Sequence, residues 1–147
     1  TTLFRSLMSH DESQQLARSA VEWALDKKAE DVVLLDLRGV LDVTDWFVLA
    51  TGFSEIQVQA IADAVVDRAV EAKQKPAHVE GMDTGRWVLV DFIDVVVHVM
   101  LPHERDRYRL DRLWGDARLI AFDEAGQERL VRPSAVLEDE ASGEDQA

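Results

Sequence analysis

The chain of 147 residues has no cysteine, three prolines, seven glycines and no apolar run of membrane-spanning length. The missing cysteines exclude disulfide bonds, thiolate metal ligands and thiol nucleophiles. A transmembrane helix needs about 18 consecutive apolar residues, so no membrane span is predicted. The first ten residues lack the charged and then apolar plan of a signal peptide. Together these absences predict a cytoplasmic protein that does not bind membranes.

Basic residues are also scarce, since 16 Lys and Arg stand against 29 Asp and Glu, a formal net charge of −13. Direct nucleic-acid binding requires clustered Lys and Arg for phosphate contacts, so none is expected. Residues 134–147 contain no Lys or Arg and no aromatic residue, which predicts a disordered acidic tail. The acidity of the remainder leaves two interpretations open: it serves solubility alone, or it attracts a basic partner protein.

What the chain does contain is enough apolar sequence, 47%, for one domain with a core. The predicted elements are a helix over about 10–29, strands over 32–37 and 45–51, a helix over 54–72, strands over 77–81, 86–92 and 94–101, and a final helix over about 103–114, with a further hairpin or strand-like segment within 117–131. Hairpins require antiparallel pairs, whereas an intervening helix permits a parallel crossover. We therefore predict an α/β fold with a mixed sheet of about five strands, covered by helices mainly on one face.

The most informative segment is residues 87–101, where two adjacent strands have faces of different character. Side chains alternate between the faces of a strand. One face is aliphatic and suits a core: Val88, Val90, Phe92, Val95, Val97 and Val99. The other is mixed: Trp87, Leu89, Asp91, Val96, His98 and Met100. The mixed face is too polar for a dry core and too apolar for open solvent, which predicts a partner-binding surface.

Candidate catalytic and metal-binding groups are weaker signals. Asp42 with Asp45, and Asp91 with Asp94, could hold a divalent cation, but Asp is common at strand ends for local hydrogen bonding. The segment ATGFSE (50–55) could bind an anion at a helix start, yet it lacks the known glycine patterns for phosphates. A zinc site at His98 and His103 lacks both the helical spacing and a clear third ligand. We predict no catalytic residue, no metal and no cofactor.

Several ordered motifs resemble the ribosomal silencing factor family, also called Iojap. They are DLRG (36–39), TDWFVLATG (44–52), QAIADAV (59–65), HVEG (78–81), WVLVDFIDVVVHVM (87–100) and ERDRYRLDRLWGD (104–116). The resemblance spans about residues 10–116 and implies a silencing-factor domain over 1–116, followed by an extension over 117–133 and the tail. It also implies a fold similar to a nucleotidyltransferase domain without its active-site residues.

The resemblance implies a function as well. Members are not enzymes: they bind large-subunit ribosomal protein L-fourteen, block association with the small subunit, and lower translation when nutrients are limited. They tend to form homodimers when free. Carried over to this chain, with the mixed face, the expected partner-binding residues are Glu80, Trp87, Asp91, His98, Met100 and Tyr108. The alternative is a nucleotidyltransferase-like or phosphoesterase enzyme that uses the paired aspartates.

Two departures from the family pattern accompany this resemblance. Many relatives carry Gly where this chain has Ile93, and Ser or Cys near Val40 or Trp46. The part of the chain after Asp116 is longer than the family core. Neither departure falls on an expected partner-binding residue.

Overall fold

A computed structural model describes residues 9–136 of the chain. Its elements are α1 (His10–Asp26), β1 (Glu30–Asp36), β2 (Trp46–Thr51), α2 (Glu55–Glu71), β3 (His78–Glu80), β4 (Trp87–Asp91), β5 (Val95–Met100), α3 (Pro102–Tyr108), α4 (Leu110–Leu113), β6 (Arg118–Phe122) and β7 (Glu128–Arg132). Both predicted helix caps are confirmed, because Ser9 Oγ accepts from the Glu12 N–H and Ser54 Oγ from the Gln57 N–H. No helix of the described part is long and apolar enough to cross a membrane.

The strands form one mixed sheet in the order β3-β4-β5-β2-β1-β6-β7. Neighbouring strands are antiparallel except β2 and β5, which are parallel and joined by a crossover that includes α2. The predicted α/β class and mixed sheet are confirmed, but about five strands is too few. The two added strands are the hairpin of β6 and β7, and β6 pairs with β1 along its whole length. Residues 118–132 thus complete the same sheet.

Helices α1 and α2 cover one sheet face, as predicted. Their apolar stripes pack on the aliphatic residues of β4 and β5 and on the matching side chains of β1 and β2. The core includes Ala20, Trp23, Ile61, Val65, Val88, Val97 and Leu34, all buried. Burying a Val or Leu side chain contributes about 1.5–3 kcal/mol, so this layer supplies most of the stability.

The second face is only partly open, because the segment after β5 folds back over it. The predicted single helix over 103–114 is wrong in one respect: Arg109 adopts a left-handed conformation, φ 49°, and separates α3 from α4. The break turns Leu110 onto the sheet, where it is buried with Phe47, Leu49 and Met100. A continuous helix would keep the direction of α3, so Leu110 would not cover the apolar side chains of Phe47, Leu49 and Met100 on this face.

The C-terminal hairpin fixes this covering segment. Arg132 on β7 donates from Nε to the carbonyl oxygen of Ala117, from Nη1 to that of Asp111 and from Nη2 to that of Trp114. These three charge-assisted hydrogen bonds tie β7 to the carbonyl groups of α4 and of the turn that follows it. Beyond β7, Ser134 is buried and the Ala135 N–H bonds the carbonyl oxygen of Asp116. The rest of the predicted tail, residues 137–147, lies outside the described residues.

Candidate functional site

Strands β3, β4 and β5 place the predicted residues in three rows on the second face. Trp87 pairs with Met100, Leu89 with both His98 and Glu80, and Asp91 with both Val96 and His78. Paired residues point to the same face, so the predicted separation of the two faces is confirmed. Tyr108, at the end of α3, brings its ring to 4.8 Å from that of Trp87. The fold therefore brings all six predicted partner-binding residues to one region.

Exposure divides those six residues into two groups. Glu80 and Tyr108 are exposed, and Trp87 and Asp91 are half-buried. His98 and Met100 are 4% and 1% exposed, because Leu110 and its neighbours cover the middle of the sheet. These two residues lie beneath the surface and offer a partner no direct contact. We call the accessible set the mixed surface: Glu80, Trp87, Leu89, Asp91 and Tyr108.

A chain of aromatic contacts supports the mixed surface from below. The Trp87 Nε1–H donates to His98 Nδ1 at 3.0 Å. The imidazole contacts the Phe47 ring at 4.5 Å between centroids, and Phe47 contacts Trp114 at 5.2 Å, both edge to face. Sequence reasoning did not connect Phe47 or Trp114 with the site. The alternation in β2 could have placed Phe47 on this face, but the position of Trp114 depends on the break at Arg109.

The imidazole of His98 is neutral near pH 7. Burial in apolar surroundings lowers its pKa to about 4, because the charged form would lose its hydration. Since Nδ1 accepts the indole proton, the ring proton is on Nε2. That Nε2–H has no hydrogen-bond partner among the described residues.

The rim of the mixed surface carries charge at its β3 edge. Glu80 Oε1 lies 2.8 Å from His78 Nε2, and both side chains are exposed. Asp91 Oδ1 accepts from the Ile93 N–H at 2.7 Å, which closes the turn between β4 and β5. Asp91 therefore has a local structural role, and its second oxygen is the one available for an external cation. Glu80 and Asp91 flank an aromatic centre with negative charge.

The paired aspartates do not form a site with ATGFSE. Asp45 precedes β2 and Gly52 follows it, and six strand residues span roughly 20 Å. Asp94 lies beside Asp45, since its carbonyl oxygen accepts from the Asp45 N–H. Within residues 9–136, no group of three His, Asp or Glu side chains could hold a metal ion. The helix start of ATGFSE is occupied by its own cap at Ser54.

A cavity of about 950 Å³ lies on the other side of α3 from the mixed surface. Arg105 crosses it and donates to the carbonyl oxygen of Asp31 and to Thr51 Oγ1. Arginines and carboxylates both line the walls: Arg105, Arg109, Arg129, Glu30, Asp31, Asp106, Asp111, Asp123 and Glu124. The carboxylates outnumber the guanidinium groups, so the cavity does not favour a phosphate group. The mixed surface is the better candidate site.

Comparison with known proteins agrees with the motifs. The family model described as ribosomal silencing factor during starvation matches residues 10–146. The chain belongs to the ribosomal silencing factor family. A member from Halalkalibacterium halodurans is 45% identical over 116 residues, which cover 79% of this chain and 97% of the relative. One from Bacillus subtilis is 49% identical over 98 residues, which cover 67% and 83%.

A solved structure supports the fold of this family member. The crystal structure of a Chromobacterium violaceum protein superposes with a TM-score of 0.66 at 42% identity, and covers 74% of this chain and 88% of that one. Both relatives carry the name ribosomal silencing factor RsfS. The sequence and structure comparisons therefore agree on the family.

Proposed function

We propose that this protein binds the large ribosomal subunit through ribosomal protein L-fourteen and blocks association with the small subunit, which represses translation under nutrient limitation. It acts in the cytoplasm, forms a homodimer when free, and needs neither cofactor, enzymatic activity nor direct contact with nucleic acid. The observation that carries the proposal is the pair formed by the half-buried Trp87 and the exposed Tyr108, which lies on the sheet face that also carries Glu80 and Asp91.

The chemistry of the mixed surface suits a basic protein partner. Interface energy concentrates on large aromatic anchors surrounded by groups that exclude water, and Trp87 with Tyr108 fits that description. Carboxylates at the rim attract Lys and Arg and speed association more than they add to affinity. The net charge of −13 acts in the same direction.

Steric blocking makes a quantitative prediction about stoichiometry. With purified large subunits held at a fixed concentration above the Kd, added protein should inhibit joining of small subunits until it is equimolar. Inhibition should disappear once the protein is removed, because a bound protein leaves no chemical mark. Sedimentation of the joined and free subunits measures both effects. Full inhibition at trace amounts, or inhibition that outlasts removal, would support the alternative of an enzyme that uses the paired aspartates.

The aromatic anchor can be tested by Trp87→Ala. We expect this variant to lose roughly 2 kcal/mol or more of binding free energy for large subunits while its circular dichroism stays that of the parent. Phe53→Ala is the matched control, since Phe53 is an aromatic residue 58% exposed that lines the cavity and is not part of the mixed surface. Co-sedimentation titrations compare the two. Weaker binding by Phe53→Ala with parental binding by Trp87→Ala would place the interface at the cavity and not at the mixed surface.

A further inference from the structure

His98 is a polar residue in a position that suits an apolar one. It is 4% exposed in β5, with valines before and after it, and it packs against Phe47 and Leu89. Its Nε2–H is buried and has no partner within residues 9–136. A buried donor without an acceptor destabilises the fold, and a Leu side chain at this position would carry no such donor.

The other ring nitrogen makes a specific contact that an apolar residue could not make. His98 Nδ1 accepts the Trp87 indole proton at 3.0 Å, across the β4–β5 pair. An indole N–H is a donor only, and no second acceptor for it is found among the described residues. The hydrogen bond therefore selects one rotation of the Trp87 ring about its side-chain bonds.

That rotation determines what the mixed surface presents. With Nε1 directed inward to His98, the indole is tilted 50° from the Tyr108 ring, with centroids 4.8 Å apart. If the acceptor were absent, the N–H would gain hydration by turning outward to solvent, and the contact with Tyr108 would be lost. The pair would then be two mobile side chains, whose ordering on binding costs conformational entropy.

We propose that His98 is a positioning residue: it holds the Trp87 indole in the orientation that packs with Tyr108, and so pre-organises the mixed surface for its ribosomal partner. The inference rests on the proposed function for its effect on binding. The inference also has a structural half, namely that the imidazole accepts the indole proton and fixes the indole ring. This half concerns the free protein alone.

The structural half is tested by nuclear magnetic resonance of the free, ¹⁵N-labelled chain at pH 7. We expect His98 Nε2 to carry the proton, and a coupling through the hydrogen bond to connect His98 Nδ1 with Trp87 Nε1. Trp87→Phe assigns the indole signal. A proton found on Nδ1, or an indole proton that exchanges as fast as one in solvent, would overturn the proposal whatever the partner is.

The binding half is tested by a double-mutant cycle. His98→Leu removes the acceptor at similar volume, and His98→Asn restores one, because the Asn Oδ1 lies near the place of Nδ1. We expect His98→Leu to weaken co-sedimentation with large subunits roughly tenfold, since one hydrogen bond to a part-buried group is lost. His98→Asn should recover most of the loss.

His98→Leu in a Trp87→Phe background shows whether His98 acts on binding through the indole or through the core. Without an indole N–H there is nothing to position, so His98→Leu should have no further effect there. An equal loss in both backgrounds would show that His98 acts through the core and would overturn the proposal. Parental binding by Trp87→Phe and Trp87→Ala alike would instead contradict the mixed surface as the interface, while the resonance result still decides the acceptor role.

Discussion

Gly81→Ala is expected to lower the free energy of unfolding by roughly 3 kcal/mol, the sum of a left-handed backbone penalty and overpacking. Gly81 has φ +88°, and a Cβ built on it would lie 2.0 Å from the carbonyl oxygen of Trp87. The obstacle is backbone, so no side-chain rotation relieves it. The β3–β4 connection must shift, and Trp87 must shift with it. Urea unfolding measures the loss, and subunit binding should weaken in parallel.

Gly126 offers a matched control for Gly81→Ala. Its φ is nearly the same, +83°, but the nearest atom to its Cβ position is Leu25 Cδ1 at 4.0 Å. Gly126→Ala therefore has the backbone penalty without the steric overlap, about 1–2 kcal/mol. Equal losses in the two variants would mean that the Trp87 carbonyl moves aside at little cost.

Acidification is expected to remove about 3 kcal/mol of stability through His98 alone. The pKa of His98 falls from 6.5 in the unfolded chain to about 4 in the fold. Above pH 6.5 both states hold the neutral ring and the contribution is complete. Between pH 6.5 and about 4 the unfolded state binds a proton that the folded state does not, so stability falls with pH. Below about pH 4 both states are protonated and the loss stops growing.

The measurement is the free energy of unfolding as a function of pH for the parent and for His98→Asn. Carboxylates titrate in both proteins, so their contribution cancels in the difference. The difference should be constant above pH 6.5 and change by about 3 kcal/mol between pH 6.5 and 4. A difference that stays flat through this window would show that the imidazole is hydrated in the folded protein.

The sequence was sufficient for those features that depend on local periodicity. Alternation in residues 87–100 separated the two sheet faces correctly, and the strand pairs of Trp87 with Met100 and Leu89 with His98 confirm the register this implies. Ser9 and Ser54 located the starts of α1 and α2. A helix cap depends only on a local contact, in which the serine hydroxyl accepts from the backbone N–H three residues further along the chain. The region of the candidate site followed from these elements.

Features that depend on distant contacts were not accessible from the sequence. Burial of His98 and Met100 requires Leu110 to fold onto the sheet, and that requires the break at Arg109, a residue with no strong preference for positive φ. Ile93 likewise takes φ 74° in the β4–β5 turn, a conformation that β-branched residues avoid. The sequence pattern predicted a chain reversal between β4 and β5, but it did not show that Ile93 would adopt the positive φ.

The parallel pairing of β2 with β5 has a consequence for how the chain folds. Trp46 pairs with Val95, which is 49 residues further along the chain, and Val32 pairs with Phe122, which is 90 residues further along. Strand pairs with such long sequence separation form slowly, because closing the loop between them costs conformational entropy before any contact offsets that loss. During synthesis β1 and β2 are made before the other strands. However, β2 can pair with β5, and β1 with β6, only after those later strands have been made. The β4–β5 hairpin that carries Trp87 therefore joins β2 late, and the mixed surface is complete only after Tyr108 has been synthesised and has packed against Trp87.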